Sequence, residues 1–263
     1  MITPILMLGA GRMGGAMLSG WRLAGAFAAS DIMIRDPNPG PAVQGLEGAS
    51  LNPPDAELAR ARTVVLAVKP QIWREAAAET APWLAADAVI VSIAAGVPAQ
   101  EISREFGGRS VARVMPTTAA AIGQGAATLY ADDPAARVRA RALFEPLGTV
   151  VDLADEALMH AATAVSGSAP AYLYAFLEAL EAAGVAQGLT AAESAKLTRS
   201  TIAGAAALLA RSGEEPAELR RQVTSPGGTT QAALEVLAAE AGFPALLQEA
   251  VTACVRRSKE LAG

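Results

Sequence analysis

A chain of 263 residues can bury a full core, and because single cores stop growing at roughly 250–300 residues it is expected to divide into two domains. The formal net charge is −5, and beyond Lys69, Lys196 and Lys259 arginine supplies all the positive charge, with no concentrated basic face of the kind nucleic-acid binding needs. Cys254 is the only cysteine, which excludes an intrachain disulfide and a cysteine-cluster zinc site, and with His160 as the only histidine metal chemistry has little to work with.

The N-terminus runs from Met1 straight into Ile5-Leu6-Met7-Leu8-Gly9, with neither a basic region nor a small-residue cleavage site, so a cytosolic protein is expected. The mean hydropathy of +0.31 reflects mostly alanine. The long apolar runs are cut short, Ile202 to Ala210 by Arg199 and Arg211 and another by Glu178 and Glu181, so neither reaches the roughly 20 residues of a membrane span.

Up to about residue 152, short apolar runs alternate with helical segments. Strands are expected at Ile5–Leu8, Ile32–Arg35, Val64–Ala67, Val89–Ile93, Val111–Val114, Gly125–Tyr130 and Thr149–Val151. Helices are expected at Met13–Ala24, Glu57–Ala61, Ile72–Trp83, Ala99–Phe106 and Pro134–Leu147. This alternation, with strands apolar on both faces, predicts a parallel α/β sheet covered by helices on both sides, forming a domain over residues 1–152. From 153 to 263 no run reads as a strand, and an all-helical domain is expected. Its segment from Asp155 to Ala183 is apolar almost all round, so it needs enclosure by other helices; about 110 residues are too few to supply them all, and a second subunit is expected to complete the shell.

Gly9-Ala10-Gly11-Arg12-Met13-Gly14 follows the first strand and opens the first helix, the context in which a Gly-x-Gly-x-x-Gly run binds a dinucleotide. The first glycine makes the tight turn, the second admits the pyrophosphate, and the third lets helix pack on strand. Asp36, 22 residues after Gly14, stands where an acid accepts hydrogen bonds from a ribose 2′-hydroxyl, which favours NAD. Arg35 and Arg12 point the other way, since a guanidinium can pair with a 2′-phosphate. The choice between NADH and NADPH stays open. Ala67-Val68-Lys69-Pro70 and Ala94-Ala95-Gly96 close two further strands, and ligands of open α/β sheets bind at such carboxyl ends.

A second anion site is written near the other end of the chain. In Val223-Thr224-Ser225-Pro226-Gly227-Gly228-Thr229-Thr230, a polar glycine turn runs directly into an apolar helical pattern. Glycines let backbone amides approach a ligand, and the new helix begins with unpaired N–H groups and a positive dipole end, so a carboxylate fits there without a lysine. Two sites for anionic small molecules in two halves of one chain suggest an enzyme.

Together these residues resemble the pyrroline-5-carboxylate reductase family. The resemblance is carried by Gly9-x-Gly11-x-Met13-Gly14, Ala67-Val68-Lys69-Pro70-Gln71, Ser92 to Val97, Arg113-Val114-Met115-Pro116, Thr163 to Ser168, Pro170-Ala171-Tyr172 and, most specifically, Thr224 to Thr230. It implies NADPH- or NADH-dependent reduction of a cyclic imino acid to L-proline by a Rossmann domain joined to a helical domain. That domain would interlock with a partner's, with further assembly into a ring of dimers. It also implies that Ala67 to Pro70 and Ala94 to Gly96 border nicotinamide and ribose, and that Ser225, Gly228, Thr229 and Thr230 hold the substrate carboxylate. Glu156, Arg221 and Gln222 match further positions near the ligand. Thr230 is the candidate for hydrogen bonding to the ring nitrogen; simple helix capping is the alternative for either threonine.

The chain departs from the family pattern at Thr117 and Ala119, where an asparagine and a proline are usual, and at Ala169, usually glycine. An asparagine common near the adenosine has no clear match, since Pro53-Pro54-Asp55 occupies that region. His160 is expected on a helix surface or interface, Cys254 in packing. Two other readings remain: a related imine reductase or β-hydroxyacid dehydrogenase, and a non-catalytic nucleotide sensor. The dehydrogenase needs a Lys-x-x-x-Asn setting, but Lys196 is followed at that spacing by Ser200. The sensor has no need of a substrate cradle.

Overall fold

The computed structural model describes residues 2–260; residue 1 and residues 261–263, the outer ends of the two expected domains, lie outside the described residues. The chain divides into two compact units. One contains the chain through Gly167 together with the end of the last helix from Val255, and the other is Ser168–Cys254.

The first unit is built on one eight-stranded sheet: β1 (Ile5–Leu8), β2 (Ile32–Arg35), β3 (Ser50–Leu51), β4 (Thr63–Leu66), β5 (Val89–Ser92), β6 (Val111–Pro116), β7 (Gly125–Tyr130) and β8 (Gly148–Asp152). Their order is β3-β2-β1-β4-β5-β6-β7-β8, so the winding reverses between β1 and β4 and leaves a crevice beyond their carboxyl ends. Helices α1 (Arg12–Ala24), α2 (Trp73–Thr80), α3 (Ala99–Glu105) and α4 (Pro134–Phe144) connect the strands.

Strand alternation explains the two cores. Ile5, Met7, Ile34 and Val91 pack on one face, and Leu6, Leu8, Leu66 and Ile90 on the other. A sheet buried on both sides needs apolar residues at every position of its central strands, and β1, β4 and β5 are buried throughout. Trp21 of α1 is fully buried, and its indole N–H donates to the Leu143 carbonyl at 2.7 Å.

The expected strands all form, with one edge strand, β3, in addition. The all-parallel sheet needs correction: β6 and β7 pair antiparallel, Arg113 opposite Tyr130. Three expected helices are also modified. Asp55–Arg60 is a 3-10 segment, and α2 and α4 end in 3-10 turns at Ala81–Trp83 and Glu145–Leu147. Each of those two turns carries a proline, Pro82 or Pro146, which has no N–H to continue the helical ladder.

Past β8 the helices begin with a 3-10 turn at Glu156–Leu158, α5 (Met159–Ala162) and a π-helical turn at Thr163–Gly167. The expected unbroken helix from Asp155 to Ala183 is therefore corrected to short pieces followed by α6 (Ala169–Ala186), with Pro170 in its first turn. Met159 and Ala164 are buried, so this stretch packs with the first unit.

The second unit contains α6, α7 (Ala191–Ser212), α8 (Pro216–Gln222), α9 (Thr229–Leu237) and most of α10 (Phe243–Glu260). Thr190 and Glu193 form a reciprocal capping box at the start of α7. Where α6 meets α7, a side chain on Gly184 would lie 2.3 Å from Ser194 Oγ, which donates to the Glu181 carbonyl at 2.8 Å. No residue of α6, α8, α9 or α10 is buried, and Leu173, Leu180, Leu197 and Leu208 are exposed. Among the described residues no helix is long and apolar enough to cross a membrane.

Candidate active site

The loop between β1 and α1 is shaped by its glycines. Gly9 has φ +93°, and its N–H donates to the Arg35 carbonyl at 2.8 Å, tying the loop to the end of β2. A Cβ on Gly14 would stand 2.2 Å from the Gly9 carbonyl oxygen, so only glycine lets α1 start this close to the turn. A Cβ on Gly11 would meet nothing within 4 Å, and Gly11 borders an open cavity of about 620 Å³ with Ala10, Arg12 and Asn38. Gly11 caps α1 without a side chain, and the first turn contains no acid, so its free amides and dipole end are left for an anion. These features fit a dinucleotide pyrophosphate.

Asp36 lies directly against this loop. Its Oδ2 accepts from the Ala10 N–H at 2.6 Å and its Oδ1 from the Asn38 N–H at 2.7 Å. Asn52 grips the same residue by its backbone, accepting from the Asp36 N–H at 3.0 Å and donating to the Asp36 carbonyl at 3.1 Å. Arg35 turns elsewhere, donating to the Pro53 carbonyl at 2.9 Å and pairing with Asp55. Arg35, Asp36, Asn52, Val68 and Ile72 line a cavity of about 600 Å³. An asparagine therefore does stand at this edge: Asn52, one residue before the prolines.

Ala67 and Val68 face the glycine loop, since a Cβ on Gly9 would meet the Ala67 carbonyl at 2.9 Å and Val68 Cγ1 at 3.0 Å. Lys69 and Pro70 are exposed beyond them. Ala94, Ala95 and Gly96 follow β5 along the same edge of the sheet, where Ser92 pairs with Leu66. Gly96 has φ +76°, and Ser92 Oγ accepts from the Ala94 N–H at 3.2 Å.

Glu156 lies in the same unit. Its Oε1 accepts from the Ala99 N–H, at the start of α3, at 2.7 Å and from Arg113 Nη1 at 2.8 Å. Thr117 pins β6 to β7, its backbone N–H donating to the Ala126 carbonyl at 2.9 Å and its Oγ1 accepting from the Ala126 N–H at 3.0 Å. His160 Nδ1 is 2.9 Å from Ser258 Oγ. Burial foremost, then the charges of Arg113 and Lys259, hold its imidazole below the ordinary histidine range.

In the second unit the turn before α9 has the expected form. Gly227 takes φ +71°, the Gly228 N–H donates to the Ser225 carbonyl at 3.0 Å, and Gly228 caps the helix without a side chain. Ser225, Thr229 and Thr230 are exposed. The Gly227 N–H donates to Gln231 Oε1 at 2.7 Å, and Gln231 Nε2 reaches Glu235 Oε1 at 3.1 Å. Gln231 was not legible as part of the turn, because its role depends on the side chain folding back. Arg221 pairs with Glu218, and Gln222 Nε2 donates to Glu214 Oε2, just before α8, at 2.6 Å, so both side chains are engaged with acids of this segment. Cys254 Sγ lies 3.3 Å from Ser168 Oγ.

A switch-point crevice, a glycine loop and a fixed acid at the end of β2 define a dinucleotide-dependent oxidoreductase, here joined to a helical unit that carries a glycine turn at the start of α9. Residues 156–261 match the family model described as pyrroline-5-carboxylate reductase dimerisation, and residues 4–96 match one described as NADP oxidoreductase, coenzyme F420-dependent. The chain is 41% identical to a pyrroline-5-carboxylate reductase of Pseudomonas aeruginosa, over 100% of this chain and 98% of that protein. It superposes on the pyrroline-5-carboxylate reductase structure from Coxiella burnetii with a TM-score of 0.90 at 29% identity, covering 100% of both chains. It superposes on the NADP-bound pyrroline carboxylate reductase of Plasmodium falciparum with a TM-score of 0.84 at 26% identity, covering 99% of this chain and 98% of that one. The chain belongs to the pyrroline-5-carboxylate reductase family.

Proposed function

We propose that this chain reduces 1-pyrroline-5-carboxylate to L-proline, the last step of proline biosynthesis, with NADH or NADPH. The observation that carries the reading is the turn Ser225–Gly228 leading into α9, which Gly228 caps without a side chain, in a chain whose other unit holds a glycine loop of dinucleotide form. A nucleotide sensor has no use for that turn. The full-length identity to a curated reductase supports the same substrate.

Reduction of a cyclic imine needs a hydride donor, an anchor for the carboxylate, and a polar partner for the ring nitrogen as it becomes an amine. The nicotinamide, when bound, supplies the hydride to the imine carbon. Gly9, Ala10, Gly11, Arg12, Met13 and Gly14 would hold the pyrophosphate and Asp36 the ribose. Ala67 to Pro70 and Ala94 to Gly96 border the nicotinamide half. Ser225, Gly228 and Thr229 receive the carboxylate, where helix amides offer charge-assisted hydrogen bonds. Thr230 hydrogen-bonds the ring nitrogen. A threonine hydroxyl has no pKa near neutrality, so it positions and polarises rather than acting as the acid. Arg221, Gln222 and Glu156 are further residues near the ligand in this reading; the Arg221 carbonyl accepts from the Thr224 N–H, and Glu156 acts through the start of α3.

Nucleotide binding is assigned to residues 1–152 and dimerisation and substrate binding to residues 153–263, of which residues 153–167 and the end of the last helix belong to the first compact unit. Self-association covers the exposed leucines of α6 and α7. The dimers assemble further into a ring, and the cytosol is the compartment of the reaction. Incubation with racemic pyrroline-5-carboxylate and reduced nucleotide, followed by chiral separation, tests the reaction: L-proline is the expected product, and its absence refutes the reading. Light scattering tests the ring, which requires a mass of several dimers.

A further inference from the structure

We propose that the ribose edge formed by Asp36, Asn52, Arg35 and Asp55 makes this enzyme select NAD(H) over NADP(H). The inference rests on the dinucleotide reading of the glycine loop and deepens it.

A 2′-hydroxyl and a 2′-phosphate ask opposite things of a protein. The hydroxyl donates to an acid, whereas the phosphate needs donors and positive charge. Asp36 offers an acid that cannot swing away. Both its oxygens are anchored to backbone N–H groups, of Ala10 and Asn38, and its own peptide is gripped on both sides by the Asn52 amide. Each carboxylate oxygen keeps a lone pair for a ribose hydroxyl, and neither can donate to a phosphate. Asn52 holds φ +48°, a left-handed conformation that asparagine tolerates better than most residues.

The guanidinium that should rescue a phosphate is already committed. Arg35 lines the same cavity as Asp36, but its Nη2 donates to the Pro53 carbonyl and pairs with Asp55, which offsets part of its charge. Glu75 and Glu79 line the same cavity, so a 2′-phosphate arriving beside Asp36 meets three carboxylates and one arginine already paired with Asp55. Arg12 stands at the start of α1, bordering the other cavity, the one flanked by Gly11 and Asn38, where the helix amides would receive a pyrophosphate. The Plasmodium relative was solved with NADP bound, so the selection belongs to this chain's own residues rather than to the fold.

The test is calorimetric titration of the full-length protein with NAD⁺ and with NADP⁺, without imine substrate, so that binding is read apart from turnover. NAD⁺ is expected to bind at least about tenfold more tightly. Asp36→Ser should narrow that ratio or reverse it. Because Asp36 also braces the glycine loop, Asp55→Ala provides a second variant: it leaves the loop untouched, frees Arg35, and should strengthen NADP⁺ binding about tenfold. Equal or tighter NADP⁺ binding by the unaltered protein overturns the selection while leaving the dinucleotide site intact. An NADP⁺ affinity that matches NAD⁺ and disappears in Arg12→Ala overturns it too, by assigning the phosphate to Arg12. Failure of both nucleotides to bind removes the site itself, and the reductase reading falls with it.

Discussion

One oxygen of Glu156 holds Arg113 and the start of α3 together. Oε1 accepts from the guanidinium at 2.8 Å and from the Ala99 N–H at 2.7 Å, while the arginine side chain is only 6% exposed. Glu156→Leu would leave that guanidinium buried without its carboxylate. With Glu156 itself partly exposed, the loss should be about 1–3 kcal/mol, less than for a fully buried pair. Urea denaturation measures it; a change below about 0.5 kcal/mol would show that Arg113 finds another partner.

At Gly14 the expectation is a loss of nucleotide binding in Gly14→Ala. The new methyl would sit 2.2 Å from the Gly9 carbonyl oxygen, so either the loop or the first turn of α1 must move. Nucleotide affinity should drop by about tenfold or more with the sheet intact. Calorimetry with far-ultraviolet circular dichroism separates the two effects, and unchanged affinity would place the pyrophosphate elsewhere.

The two threonines of α9 should separate by kinetics. Thr230→Ala is expected to lower kcat by about tenfold or more, the scale of one lost hydrogen bond to a reacting nitrogen, while Thr230→Ser restores most of it. Thr229→Ala should mainly raise KM. A Thr230→Ala enzyme with wild-type kcat would remove that hydroxyl from the reaction.

His160 gives a pH dependence with a definite sign. Burial and the nearby Arg113 and Lys259 lower its folded-state pKa below the ordinary 6.5, so the unfolded chain binds the proton more readily. Its stabilising contribution is present above about pH 6.5 and is lost as pH falls through the folded value. His160→Gln should flatten the decline in Tm below that pH. An equally steep decline would assign it to other groups.

The central strands were legible because an apolar run bounded by glycine, aspartate or proline leaves few alternatives; β1, β2 and β7 begin and end where the sequence places them. β3 was not legible, since two residues at a sheet edge carry no periodicity. The reversal of β7 had a readable signal that composition conceals: only residues 117–124 join it to β6, too few for the crossover a parallel pair requires. The glycine loop and the glycine turn were both visible because the backbone itself makes them. Asn52 and Gln231 were not, because each acts through a side chain folded onto a neighbouring turn. Partner choice among charged groups is equally hidden: Arg35 turns to Asp55, and no spacing rule announces it.

The most direct test of the account is the loss of reduced-nicotinamide absorbance when the purified protein meets pyrroline-5-carboxylate, with NADH and NADPH run in parallel. Substrate-dependent oxidation is expected, faster with NADH at limiting nucleotide, and strongly diminished in Thr230→Ala. Nucleotide binding without oxidation of either coenzyme would contradict it.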